Sequence, residues 1–237
     1  MSIKLPSNSF IDIHSHHEPV MEGGLRIFNL FVSEISDFPT HLPVSIGLHP
    51  WRLGYYNNPD EALETLEIYA SNDHVLAIGE AGIDKVVKAS LEEQERLFRA
   101  QVKISESLKK PMILHCVKAF NEVLKIRNDL GARQAWIFHG FNSKLSIAEQ
   151  LVSKGLYISI GQKLLANEQK AKEIIRMLPL EKMFMETDDD EMGIEEIYQK
   201  VAEIKGVPIV DLKEGIRDNI LDILGKGMPL PYQIKKP

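Results

Sequence analysis

Residues 111–140 read PMILHCVKAFNEVLKIRNDLGARQAWIFHG. A short apolar run ends in His115, a charged segment with apolar residues at helical spacing follows, and a second apolar run ends in His139. The pattern changes from strand to helix and back to strand, which is the signature of a βα unit feeding a parallel sheet. Each strand delivers an imidazole at its C-terminal end.

The same unit recurs on both sides. Strands are expected near 10–14 (FIDIH), 25–32, 43–49, 74–82, 111–117, 134–140, 156–161 and 182–188. Helices fit the charged stretches at 58–72, 90–110, 119–131, 143–155 and 167–179, each opening on a capping Asn or Ser or closing on Gly or Pro, and two more close the chain near 193–205 and 208–225. Eight strands of this kind predict the α/β class and a (β/α)8 TIM barrel. Only about ten residues join the first strand to the second and the second to the third, close to the minimum for a crossover that includes a helix. The barrel is therefore expected to be distorted there, with one or both of the first outer helices missing. No repeat, low-complexity tract or linker divides the sequence, so residues 1–237 are read as a single barrel domain.

Composition narrows the class. The chain has 237 residues, 44% hydrophobic and 26% charged, enough to bury a core without staples. A net charge of −6 removes the footprint of a protein that coats nucleic acid through a stable basic surface, although bound divalent cations can supply positive charge where a phosphate sits. Cys116 is the only cysteine, which excludes an intrachain disulfide and a thiolate metal site. The opening MSIKLPSNSF has no apolar signal core, and no apolar run has the length of a membrane span. A reducing, cytoplasmic location without membrane attachment is expected.

Donor residues gather at the strand ends. The first strand ends in His14 with His16 beyond, on the same face as Asp12. The third ends in His49, the fourth in Glu80, the fifth in His115, the sixth in His139 and the eighth in Glu186 and Asp188. In a parallel barrel these ends converge on the face where active sites are built. So many donors exceed one metal and suit two divalent ions bridged by a carboxylate. Glu80, between small residues in IGEAG, is the expected bridge; His14, His16 and Asp188 are expected to hold one ion, and His115 with His139 the other. Asp188 would receive or orient a proton of the attacking water, making hydrolysis the expected reaction. Asp12 is expected to orient a ligand from behind. His17, His41 and His74 read as surface residues.

The ordered motifs D-x-H-x-H (12–16), GLHP (47–50), AIGEAGID (77–84), PMILHCVKA (111–119), IFHGF (137–141) and METD (185–188), with Gln94 and Phe98, resemble the TatD-type metal-dependent hydrolases of the amidohydrolase-like superfamily. The resemblance implies a TIM barrel, divalent ions and deoxyribonuclease activity of the 3′–5′ exonuclease type. It also implies metal ligands at His14, His16, Glu80, His115, His139 and Asp188, a substrate-phosphate contact at His49, and a share of proton transfer at Glu186.

Three features depart from the family pattern. Val117 stands where the family usually has Arg, leaving the adjacent Lys118 as a partial substitute for a two-pronged phosphate clamp. METD runs almost directly into a helix whose N-terminus would carry Asp189, Asp190 and Glu191, a placement that complements the helix dipole. The connections after the first two strands are short. These departures keep a second reading open, a metal-dependent hydrolase of a small amide, ester or phosphomonoester. A third, a non-catalytic binding protein, is opposed by the intact donor set. The cofactors expected are two divalent ions among Mg, Mn and Zn, and the partner is a DNA end or a small phosphorylated substrate.

Overall fold

A computed structural model describes residues 8–17, 24–39 and 42–225. Eight strands lie in one sheet in sequence order: β1 (Phe10–Ser15), β2 (Gly24–Phe31), β3 (Val44–Gly47), β4 (Val75–Asp84), β5 (Met112–Val117), β6 (Trp136–Phe138), β7 (Tyr157–Ile160) and β8 (Met183–Met185). The pairs β1/β2, β3/β4, β4/β5, β6/β7 and β7/β8 are all parallel. This is the strand order of a (β/α)8 barrel. Every predicted strand is present.

Helices follow the later strands: α1 (Pro59–Ala70), α2 (Leu91–Leu108), α3 (Phe120–Leu130), α4 (Leu145–Ser153), α5 (Gln162–Leu165), α6 (Glu168–Met177), α7 (Ile194–Lys205) and α8 (Ile209–Leu224). Among the described residues no α-helix lies between β1 and β3, where a 3-10 segment, Val32–Asp37, stands instead. The short connection from β2 to β3 thus carries this 3-10 segment in place of an outer helix among the described residues. Asn58, Ser90 and Asn167 cap α1, α2 and α6 by accepting backbone N–H bonds from Asp60, Glu93 and Lys170. Gly131 ends α3 at a φ of 58°, a conformation glycine adopts without a Cβ clash.

Packing divides the chain into two compact units, residues 1–28 with 137–237, and residues 29–136. In the first, β8 runs beside β1: Asp188 N donates to His14 O (3.0 Å) and His16 N to Asp188 O (2.9 Å). Tyr198 on α7 serves both backbone groups of Ile11, donating to its carbonyl at 3.0 Å and accepting from its N–H at 3.2 Å. In the second, all ten residues of β4 are buried, and Phe98 of α2 meets Trp136 with ring centroids 5.5 Å apart. Gly82 lets β4 and β5 approach closely, since a Cβ there would lie 1.9 Å from His115 O. That approach carries Glu80 and Asp84, two positions to either side and on the same face, up to His115.

Candidate metal centre

Each unit holds a group of two imidazoles and a carboxylate. In the first, ligand atoms of His14, His16 and Asp188 all lie within 4.8 Å of one another. Asp188 Oδ1 is 3.6 Å from Nε2 of both histidines, while its Oδ2 accepts a hydrogen bond from Lys163 Nζ at 2.6 Å. The two carboxylate oxygens therefore have separate tasks. Burial pushes the Asp188 carboxyl up, but the His14 bond, the charges of His139 and His14, and Lys163 outweigh it and hold the group well below the usual carboxylate range. Its φ of 55° lies in the left-handed region, which Asp tolerates better than most residues.

The backbone of this group is fixed from behind. Buried Asp12 accepts from Thr187 N (3.0 Å), Thr187 Oγ1 (2.7 Å) and Arg26 Nε (2.9 Å). The expected orienting role of Asp12 falls on Thr187, the residue between Glu186 and Asp188. Burial raises the Asp12 carboxyl to about 6 despite these bonds. Glu186 is buried, accepts from Gly140 N at 2.5 Å, and is pushed up to about 7 by burial, with the His139 charge lowering it and Asp188 raising it. The Ser159 hydroxyl and the Gly140 N–H both act to lower it. The His139 ring lies 4.3 Å from that of His14.

The second group is His49, Glu80 and His115, again with ligand atoms within 4.8 Å of one another. Glu80 Oε1 stands 3.0 Å from His49 Nε2 and 2.8 Å from His115 Nδ1. His49 Nδ1 accepts from Trp51 N (3.1 Å), so Nε2 is the nitrogen that carries the proton toward Glu80 in the neutral ring. His115 Nε2 lies 3.1 Å from Asp84 Oδ2, which also accepts from the Trp51 indole at 2.7 Å. Burial pushes Asp84 up, but bonds from His115, Trp51 and Val86 N outweigh it and hold the carboxyl at about 2. Gln94 clamps the backbone of Asp84 at both its N–H (2.8 Å) and its carbonyl (3.1 Å).

Several expectations are altered by this geometry. His115 and His139 do not share a three-donor group among the described residues; His115 joins His49 and Glu80. His49, expected at the substrate phosphate, sits in hydrogen-bond reach of Glu80. The acidic run does not open a helix: Asp190 N closes a turn onto Thr187 O, Met192 N donates to Gln162, and α7 starts at Ile194. The left-handed turn at Asp188 redirects the chain before the helix can begin. Lys118 is exposed just beyond β5, His17 is exposed with its ring 3.3 Å from Asp190 O, and His74 is half-buried. His41 lies outside the described residues.

Three participants escape a reading by strand ends. Asp84 is legible from alternation, four positions after Glu80 on the same face. Trp51 follows its strand by several residues, and Lys163 sits on the single-turn α5, too short to show a helical period.

A family model described as TatD related DNase matches residues 20–225. The human protein named deoxyribonuclease TATDN3 is 27% identical over 183 residues, covering 70% of this chain and 65% of that one. A protein of Buchnera aphidicola named as an uncharacterized metal-dependent hydrolase is 31% identical over 148 residues, 61% of this chain and 55% of that one. The chain thus spans less than two thirds of the length of these curated relatives. Among solved structures, the TatD homologue YjjV of Escherichia coli matches with a TM-score of 0.78 at 21% identity, covering 92% of this chain and 98% of that one, a likeness of fold.

Proposed function

The chain belongs to the TatD-related DNase family, and from that premise we propose that it is a divalent-metal-dependent phosphodiesterase trimming DNA ends, of the 3′–5′ exonuclease type. The observation that carries this reading is the pair of three-donor groups, each with two imidazoles and one carboxylate. His14, His16 and Asp188 would hold one ion; Glu80 and His115 would hold the other, with the His49 Nε2–H donating to Glu80 beside it. Nitrogen-rich donor sets suit Mn²⁺ or Zn²⁺, whereas Mg²⁺ prefers oxygen ligands. His14 and His16 precede the family-matched stretch, so their assignment rests on geometry and on the D-x-H-x-H resemblance.

Bound there, divalent ions would bring a water's pKa toward neutrality and polarise a phosphoryl oxygen. Lys163 holds one oxygen of Asp188 and leaves the other facing the histidines. Glu186, buried beside Asp188 and hydrogen-bonded by Gly140 N, is proposed to share in proton transfer. Lys118, exposed beyond β5, is the cation proposed to meet a substrate phosphate. Glu80 is proposed to bridge the ions, and His139 to complete the ligand set. A cytoplasmic setting is part of the proposal; among the described residues no helix is long and apolar enough to cross a membrane.

The test is degradation of end-labelled single-stranded DNA with Mg²⁺ or Mn²⁺, beside Asp188→Asn and Glu80→Ala, with bound metal measured in each. Stepwise shortening by the wild type, lost by at least a thousandfold in both variants with the fold intact, is expected. Loss of both ions in Glu80→Ala supports the bridge; loss of one confines Glu80 to the His49 and His115 group. The acidic stretch Asp189–Glu191 and Val117 favour the small-substrate reading, which turnover of chromogenic esters or phosphomonoesters without DNA cleavage would establish.

A further inference from the structure

Trp51 is held firmly and left open. Its indole N–H donates to buried Asp84 at 2.7 Å, and its ring stands nearly perpendicular to those of His49 and His115, with centroids 5.2 and 5.4 Å away. Even so, 62% of the residue is exposed. Val86, whose N–H takes the other Asp84 oxygen at 2.8 Å, is 64% exposed. Tyr55, with the Arg52 guanidinium 5.5 Å from its ring centre, is 71% exposed. An uncovered indole fixed at one edge is an unusual use of apolar surface, and fixing it in advance lowers the entropy lost when a flat ligand stacks on it.

We propose that Trp51 is a stacking platform for a nucleobase of the DNA end, beside the His49, Glu80 and His115 group. This deepens the phosphodiesterase reading and rests on it. Stacking uses the π-face that every base has, so the subsite grips an unpaired base without reading sequence, and it requires no basic surface. That matches a chain with a net charge of −6. The bond to Asp84 has a second consequence: the platform is tied to the residue that also holds His115, so base and phosphate would be held by one connected set of side chains.

Two measurements test the assignment. Trp136 is fully buried, so a ligand-induced change in the exposed tryptophan emission reports Trp51. Deoxyadenosine monophosphate and a short single-stranded oligodeoxyadenylate, added with Mg²⁺, are expected to quench that emission, and deoxyribose 5-phosphate is not. In kinetics, the preference in kcat/KM for a substrate with a terminal base over its abasic counterpart is expected to fall about tenfold or more in Trp51→Ala and to persist in Trp51→Phe, which keeps a ring and loses the indole N–H. Equal quenching by the sugar phosphate, or no base preference in the wild type, would overturn the platform while leaving the nuclease reading standing. Trp51→Phe behaving like Trp51→Ala would also overturn it, since the indole would then serve only to hold Asp84. Quenching by the mononucleotide in a protein that cleaves no DNA would retain base binding and remove the phosphodiesterase.

Discussion

Asp188 shows how much of the site depends on contacts that use no metal-donor atom of the residue making them. Its Oδ2 is held by Lys163 at 2.6 Å, its backbone by His14 and His16, and its neighbour Thr187 by Asp12. Removing the ammonium in Lys163→Gln would free the carboxylate to rotate away from the histidines. Metal affinity or activity is expected to fall about 10- to 100-fold, the usual effect of losing a partner that orients a ligand. Calorimetric titration of the metal-stripped variant with Mn²⁺ checks it; an unchanged affinity would mean that the backbone alone fixes the carboxylate. The histidines were legible in the sequence because strand ends announce them. Lys163 was not, because nothing in the residues around it shows that α5 turns a lysine back toward β8.

The elements were legible wherever periodicity had room to develop. β4 is longer than its apolar run suggested and extends to Asp84, which explains why that residue sits beside His115. The 3-10 segments at Val32–Asp37 and Pro50–Tyr55 are too short to leave a pattern. At the seam of α1, α2 and β5, buried Lys110 donates from Nζ to Ala70 O (2.5 Å) and Asn72 O (2.8 Å), covering the C-terminal end of α1. Burial lowers its pKa from 10.5 to about 8, with Asp73 opposing. The folded state therefore binds fewer protons than the unfolded chain between those values, and stability should rise with pH across that window. Below pH 8 the folded state bears the full penalty of the buried ammonium; above 10.5 it bears none. Thermal unfolding from pH 7.5 to 10.5 should show a smaller upward contribution in Lys110→Met than in the wild type, and parallel curves would refute the assignment.

At the scale of the whole molecule, the question is whether residues 1–237 unfold as one domain, as we propose. The boundaries of the two compact units fall between residues 28 and 29 and between 136 and 137, inside β2 and β6. Domain boundaries ordinarily fall in exposed linkers that few contacts cross, and cutting a strand is the opposite of that. The first unit is also discontinuous: β1 meets β8 only when His14 is joined to Asp188 across the whole intervening chain. Each stretch pairs strands of its own, β1 with β2 and β7 with β8, and the bridge between Ser15 and Asp188 joins the two stretches into one sheet. Both tryptophans lie in residues 29–136, so their emission follows that unit, whereas far-UV circular dichroism follows all the helices. Urea unfolding of the full chain is expected to give coincident midpoints by the two signals, with a single slope suited to the whole buried surface. A fluorescence midpoint separated from the dichroism midpoint would mean that residues 29–136 fold and open on their own, and that the two donor groups belong to units of different stability. In that case removal of metal by a chelator should lower each midpoint independently, by an amount set by the ion bound in that unit.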